Sequence, residues 1–414
     1  MWLGSNAGSS AVFLADCGGS RLYGEGRKPL EFAGRYRRPK AVVYSPYPET
    51  HACAYVRIAA PMRAAGWNVI WARRQEGSGH RFDLEIARTA DLILIQRQLP
   101  GLSTEKMLRT LLRLRIPVVY DLDDMLLDIP KAHPSYIQLS KRAPYIKWAL
   151  REVDLVTVST LQLKRALETY TSRPVRVQAN LVDWMLFNAA PRPRDRIFRF
   201  LISGTSTHRD DWAILEEPLA QIFAKYPTRA KALFIGQVPK GLVDHPAVDC
   251  MAFDDDYRRY ASCLRTLDVN AALVPLEDNE FNRCKSNIKW LEYSAAGVPG
   301  AYSDVTPYRS SVGHRETGLL VTNTAASWFH TMEVLISDPG AASLMVENSR
   351  RRVFEAYSVQ NAAGAYGVTY NELIGREHRR HMLSGVSTFG SRLLARAQQA
   401  VTGARRVPKG LRGD

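Results

Sequence analysis

The sequence predicts an α/β protein made of two doubly wound parallel-sheet domains that face each other across a cleft. Apolar, β-branched runs alternate with helical segments, as strands covered on both faces require. The alternation occurs twice, and a Pro/Arg-rich stretch, PRPRDR at 191–196, separates the two series. With 414 residues the chain is long enough for two domains, each with its own core.

The first series opens with AVVYSP at 41–46, a buried strand, and a helix over YVRIAAPMRAAG at 55–66. NVIWA and DLILIQ read as the next strands and EKMLRTLLRLR as a helix. PVVYDLDD then reads as a strand, IKWALREV as a helix, DLVTVS as a strand and LQLKRALETY as a helix. VRVQANLVDWMLF is an exit strand that leads into the linker. The second series begins with FRFLISGTSTHRDDW and continues through KALFIG, the spacer GLVDHPAV, a helix near 256–263 and DVNAALVPL. The expected division is a basic arm without structure at 1–39, a first domain at 40–190 and a second at 197–360. A last helix at 361–378 crosses back toward the first domain, and a basic tail covers 379–414.

Composition narrows the function. With 46% hydrophobic and 23% charged residues the chain reads as globular and soluble. Five cysteines without CxxC or His-partnered spacing suggest neither a disulfide framework nor a zinc site. The apolar run at 11–15 is too short for a signal-peptide core, and no stretch approaches the roughly 18 apolar residues of a span, so a cytoplasmic location is expected. Of the net charge of +15, residues 1–40 hold +4 and residues 376–414 hold +7. The folded body therefore lacks the charge and the motifs of a nucleic-acid reader, and no nucleic-acid partner is expected. The C-terminal arm could lay Phe389, Leu393, Leu394 and Val401 on an anionic membrane surface with Arg392, Arg396, Arg405 and Arg406 nearby, or stay solvated.

The most informative stretch is Arg283–Arg309, RCKSNIKWLEYSAAGVPGAYSDVTPYR. Lys285, Lys289 and Glu292 are spaced to share one helical face, Ser286 is placed to cap that helix, and Gly297 and Pro299 end it. Ammonium groups beside a carboxylate suit a sugar nucleotide, the cations for diphosphate and the carboxylate for ribose. The pattern K-S-x-I-K-x-L-E-Y-x-A-x-G-x-P, then S-D-V-x-P-Y with Asp304, then ETGLLV, resembles the C-terminal domain of GT-B glycosyltransferases. These have two Rossmann-like domains, and the wording here is similar to family-4-like (group 1 type) bacterial enzymes of surface-polysaccharide assembly. The resemblance covers residues 40–375 and is strongest over 270–325.

The resemblance implies further site residues. The loop SGTSTHRDD offers Ser203, Gly204, Thr205, His208 and Arg209 to a donor diphosphate near a helix N-terminus, with Asp210 or Asp211 able to cap that helix. Retaining relatives carry two glutamates with seven residues between them, and counting back from Glu292 gives Cys284. The first glutamate's task could pass to Glu280, Asn282 or Ser286. In the first domain Asp123 and Asp124 occupy the place of a His-Asp pair in relatives. YDLDD could also hold a metal, although such sites stabilise the diphosphate with cations, so no metal or other cofactor is expected. His51 and Arg57 are polar candidates in the first βα loop. The implied activity is transfer of a sugar, with retention, from a nucleotide-diphosphate donor to a glycan or lipid-linked acceptor in polysaccharide synthesis. Lys285, Lys289, Asp123 and Asp124 would serve as the catalytic set, in a cytoplasmic protein that could sit peripherally at the membrane. The rival readings are a non-catalytic sugar-nucleotide-binding or scaffold subunit and a sugar-nucleotide epimerase.

Overall fold

The computed structural model describes residues 37–77, 79–189 and 196–375. The basic arms, including the proposed lipid-facing residues from Phe389 to Arg406, and the linker at 190–195 lie outside the described residues. The elements below fall within one compact unit that begins at Arg38.

Two six-stranded sheets carry the fold. The first uses β1 (Lys40–Tyr44), β2 (Asn68–Trp71), β5 (Leu92–Gln96), β6 (Val118–Leu122), β7 (Leu155–Val158) and β8 (Val175–Val177). Its order is β2-β1-β5-β6-β7-β8, with every neighbouring pair parallel. The second uses β9 (Phe198–Ser203), β10 (Ala230–Ile235), β11 (Val248–Met251), β12 (Ala271–Val274), β13 (Gly300–Ser303) and β14 (Leu319–Val321). Its order, β11-β10-β9-β12-β13-β14, is also wholly parallel. Strands such as β5 and β12 are buried along their whole length, which is why they read as continuous apolar runs.

The structure adds elements that the sequence pattern hides. An antiparallel hairpin, β3 (Arg73–Glu76) and β4 (Gly79–Phe82), interrupts the passage from NVIWA to DLILIQ. Its exposed residues leave it without an apolar signal. The helix expected at 55–66 is instead a composite, Ala52–Ala54, a π-turn at Tyr55–Ala59 and Ala60–Ala64. Pro61 has no N–H to give the Arg57 carbonyl, and the ladder widens just before it.

The halves share a core in which Leu181, Val182 and Phe187 meet Tyr257, Tyr260 and Trp290. Backbone bonds cross between them at Val182, to Tyr357 and Val359, and from Tyr257 to Thr50. A helix at 364–375 lies against the first half, where Tyr366 donates to the Ala179 carbonyl at 2.7 Å and Tyr370 meets Trp67 edge-on. Among the described residues no helix is long and apolar enough to cross a membrane.

Candidate functional site

In each sheet the strand order reverses beside the first strand, between β1 and β5 and between β9 and β12. A crevice opens at such a switch point, outside the carboxyl ends of the strands. The loops after β9 and β12 supply one wall and those after β1, β5 and β6 the other.

On the second-half wall the loop after β9 lies flat against the loop after β10. Gly236 has φ +116°, and a Cβ there would stand 2.0 Å from the Gly204 carbonyl oxygen; one on Gly204 would stand 2.9 Å from the His208 ring. Only glycines allow this approach. Thr205 and Thr207 share a hydroxyl hydrogen bond of 2.8 Å, and Ser203 is buried beside Tyr260 and Tyr293. The helix that follows, Arg209–Ala213, is a single turn with no side-chain cap and with Asp210 and Asp211 in its first turn. One correction follows: neither aspartate caps it. Asp211 is buried and organises both loops. One oxygen meets His208 Nδ1 at 2.9 Å, and the other accepts from the Glu277 N–H at 2.8 Å and Asn282 Nδ2 at 3.1 Å.

The helix after β12 begins later than its sequence suggests. It runs Ile288–Ala295 with Asn287 at its N-cap and no side-chain cap, so Ser286 does not cap it and Lys285 lies in the preceding turn. Gly297, at φ +72°, does end it. Glu292 is buried and pairs with Lys289 Nζ at 3.1 Å, and Tyr260 OH bridges the two. Burial alone lowers the Lys289 pKa, but the adjacent Glu292 outweighs it and holds the ammonium well above the ordinary lysine range. Lys289→Met leaves that carboxylate buried and uncompensated. It should cost about 2–4 kcal/mol in urea denaturation, much of it recovered in Lys289→Met/Glu292→Leu.

Lys285 has a different setting. It is half-buried beside the Phe281 ring and makes no ion pair with a carboxylate among the described residues. Its charge acts on His208 of its own half and on Asp124 and His133 of the other. Of these, His133 lines a pocket together with Thr207, Asp211 and Asn282 of the second half.

The first-half wall is built on a residue that sequence reasoning missed. Arg97, at φ +49° just past β5, ion-pairs with Asp123 and, at 2.9 Å, with Asp124. The only signal was a charged residue directly after a buried strand. A non-glycine residue held at positive φ marks a position that its surroundings fix. The two carboxyls diverge: burial raises Asp123, whereas Arg97 and then Lys285 overcome burial and lower Asp124. Both stay paired with Arg97, and the charge on Asp124 is the more strongly favoured, with Lys285 of the second half contributing. Among the described residues no group of three or more His, Cys, Asp or Glu side chains is arranged to hold a metal.

The remaining candidates are spread more widely. Arg209 is exposed and paired with Asp210, at the rim of a pocket that His133, Thr207, Asn279 and Phe281 also line. Glu280 is exposed on the short helix Glu280–Arg283. Ser286 accepts from Asn180 Nδ2 at 2.7 Å across the halves, and Asn282 is a buried strut. Asp304 is half-buried and engaged by Arg309. His51 stacks on Tyr47 and bridges to Asp256; burial, then Arg97, lowers its pKa to about 4, so it is neutral and no phosphate cation. Arg57, a candidate by sequence, is wholly buried against Asp121 and is a structural residue.

Solved structures share this architecture. Sucrose-phosphate synthase from Thermosynechococcus elongatus matches with a TM-score of 0.62 at 17% identity, over 82% of this chain and 100% of its own. Anabaena HepE, solved with UDP-glucose, matches with 0.59 at 15%, over 83% and 100%. A glycosyltransferase from Rickettsia africae matches with 0.56 at 12%, over 82% and 99%. The fold is therefore GT-B. No protein-family model and no curated protein sequence matches the chain.

Proposed function

We propose that this chain is a glycosyltransferase that moves a sugar from a nucleoside-diphosphate donor to a glycan or lipid-linked acceptor. One observation carries the reading: the charge of Lys285, on one half, acts on Asp124 of the other, beside the switch points of both sheets, and no described carboxylate ion-pairs with that lysine. An ammonium on that wall stabilises the charge that develops on a departing diphosphate, without a metal. We assign Asp124, opposite, to orient an acceptor hydroxyl by accepting its hydrogen bond. We assign Glu292, by the family resemblance, to the ribose. HepE, a structural neighbour, was solved with UDP-glucose, which supports a nucleotide sugar as the ligand class. We assign the donor mainly to the second half and the acceptor mainly to the first, in cell-surface polysaccharide synthesis at the cytoplasmic face of a membrane.

Retention of configuration rests on the family resemblance. Cys284 stands where relatives carry a glutamate, and burial, reinforced by Asp124, pushes its thiol up to about 11. No ionised group is present there, which favours a second reading as a sugar-nucleotide-binding subunit. Mass-spectrometric screening of nucleotide sugars with the purified protein and crude lipid acceptors separates the two. Turnover supports the transferase, tight binding without turnover supports the subunit, and neither outcome rejects both.

A further inference from the structure

We infer that binding of a nucleoside diphosphate in this crevice takes up one proton at His208, whose ring Asp211 holds through Nδ1. The inference rests on the donor-site reading above and adds its proton chemistry.

The geometry sets the requirement. Asp211 is buried, and its other oxygen is occupied by the Glu277 N–H and Asn282 Nδ2, so its place is fixed. A carboxylate only accepts, so the 2.9 Å contact to His208 makes Nδ1 the donor. Nε2 has no hydrogen-bond partner among the described residues, and in a neutral ring it carries only a lone pair. Phosphate oxygens also only accept. Where Nε2 meets a phosphate oxygen, a neutral ring offers a repulsive lone pair and a protonated one a charge-assisted donor.

The surroundings keep the ring neutral until an anion arrives. Burial lowers the His208 pKa below 6.5, and Lys285 and Lys289 lower it further, against Asp211, which raises it. From the other half Asp124 also interacts with the ring, and Arg209 and Asp210, adjacent in sequence, pair with each other. A diphosphate beside Lys285 brings negative charge that offsets the effect of the lysines on the ring. His208 then titrates higher in the complex than in the free protein, so affinity rises as pH falls between those two values. The limit is about tenfold per pH unit for one proton.

Isothermal titration of the full-length protein with UDP, GDP, ADP and dTDP at about pH 7, in buffers of different ionisation enthalpy, measures the uptake. Titration of the ligand's own phosphate is common to wild type and variant. The wild type should take up more protons than His208→Gln, which retains a neutral donor, and His330→Gln, exposed on the helix Ala325–Ser337, should behave as wild type. Equal uptake by wild type and His208→Gln, with nucleotide bound, overturns the inference and leaves the donor site standing. Failure of all four nucleotides to bind overturns both. Should His208→Gln fold poorly, the imidazole C2–H resonance of wild-type His208, titrated with and without nucleotide, reads the same shift. An unmoved titration curve rejects the inference.

Discussion

Lys285→Ala lowers turnover of the sugar nucleotide by about 100- to 1,000-fold while leaving the unfolding midpoint in place. The size follows from the role, because removing one preorganised group aimed at developing charge in a dehydrated site costs that much. The unchanged midpoint follows from the environment. Lys285 makes no ion pair with a carboxylate among the described residues, so its loss leaves no buried partner stranded. This separates it from Lys289, which neutralises the buried Glu292. Steady-state kinetics with the donor found by screening, paired with urea denaturation, checks both halves of the prediction. Turnover within a few-fold of wild type would remove Lys285 from the site.

Arg57→Met destabilises the protein by about 3–5 kcal/mol without a catalytic explanation. Arg57 and Asp121 are 0% and 1% exposed and form two contacts, Nη2 to Oδ1 at 2.6 Å and Nε to Oδ2 at 3.2 Å. The guanidinium also donates to the Gln178 carbonyl and to Asn180 Oδ1, and Thr157 donates to Asp121. Removing the cation leaves a buried carboxylate with one hydroxyl donor where it had a bidentate guanidinium. The loss is a large fraction of the stability of an ordinary domain. Arg57→Met/Asp121→Leu should recover most of it, since two apolar side chains of similar volume leave no stranded charge. Chemical denaturation of the three proteins reads this directly, and a single variant as stable as wild type would contradict the pairing.

The second-half site was the more legible wall. Its residues fall in two continuous segments, 203–211 and 277–292, and glycines and small residues mark the close approach of backbone. Asp211 was visible but read as a cap, because its real partners, the Glu277 N–H and Asn282, lie more than sixty residues away in sequence. The first-half wall was harder to read. Arg97 meets Asp123 and Asp124 only because β5 and β6 are neighbours in the sheet, and strand adjacency is not a local property of the chain.

The sequence by itself determined the two-series α/β architecture, most strands of the two parallel sheets, and the segments that reach the carboxyl ends of those strands. Hydrophobic period and turn residues act over a few positions, and one chain carries that information. Tertiary structure alone decided which charges are spent on one another and which face the crevice. Lys285 and Lys289 are four positions apart and look alike as text. Yet the helix starts only at Ile288, which places Lys289 over a buried glutamate and Lys285 in the turn before it. Burial and the approach of a second wall set the cost of leaving a charge unpaired, and both arise only when distant segments pack.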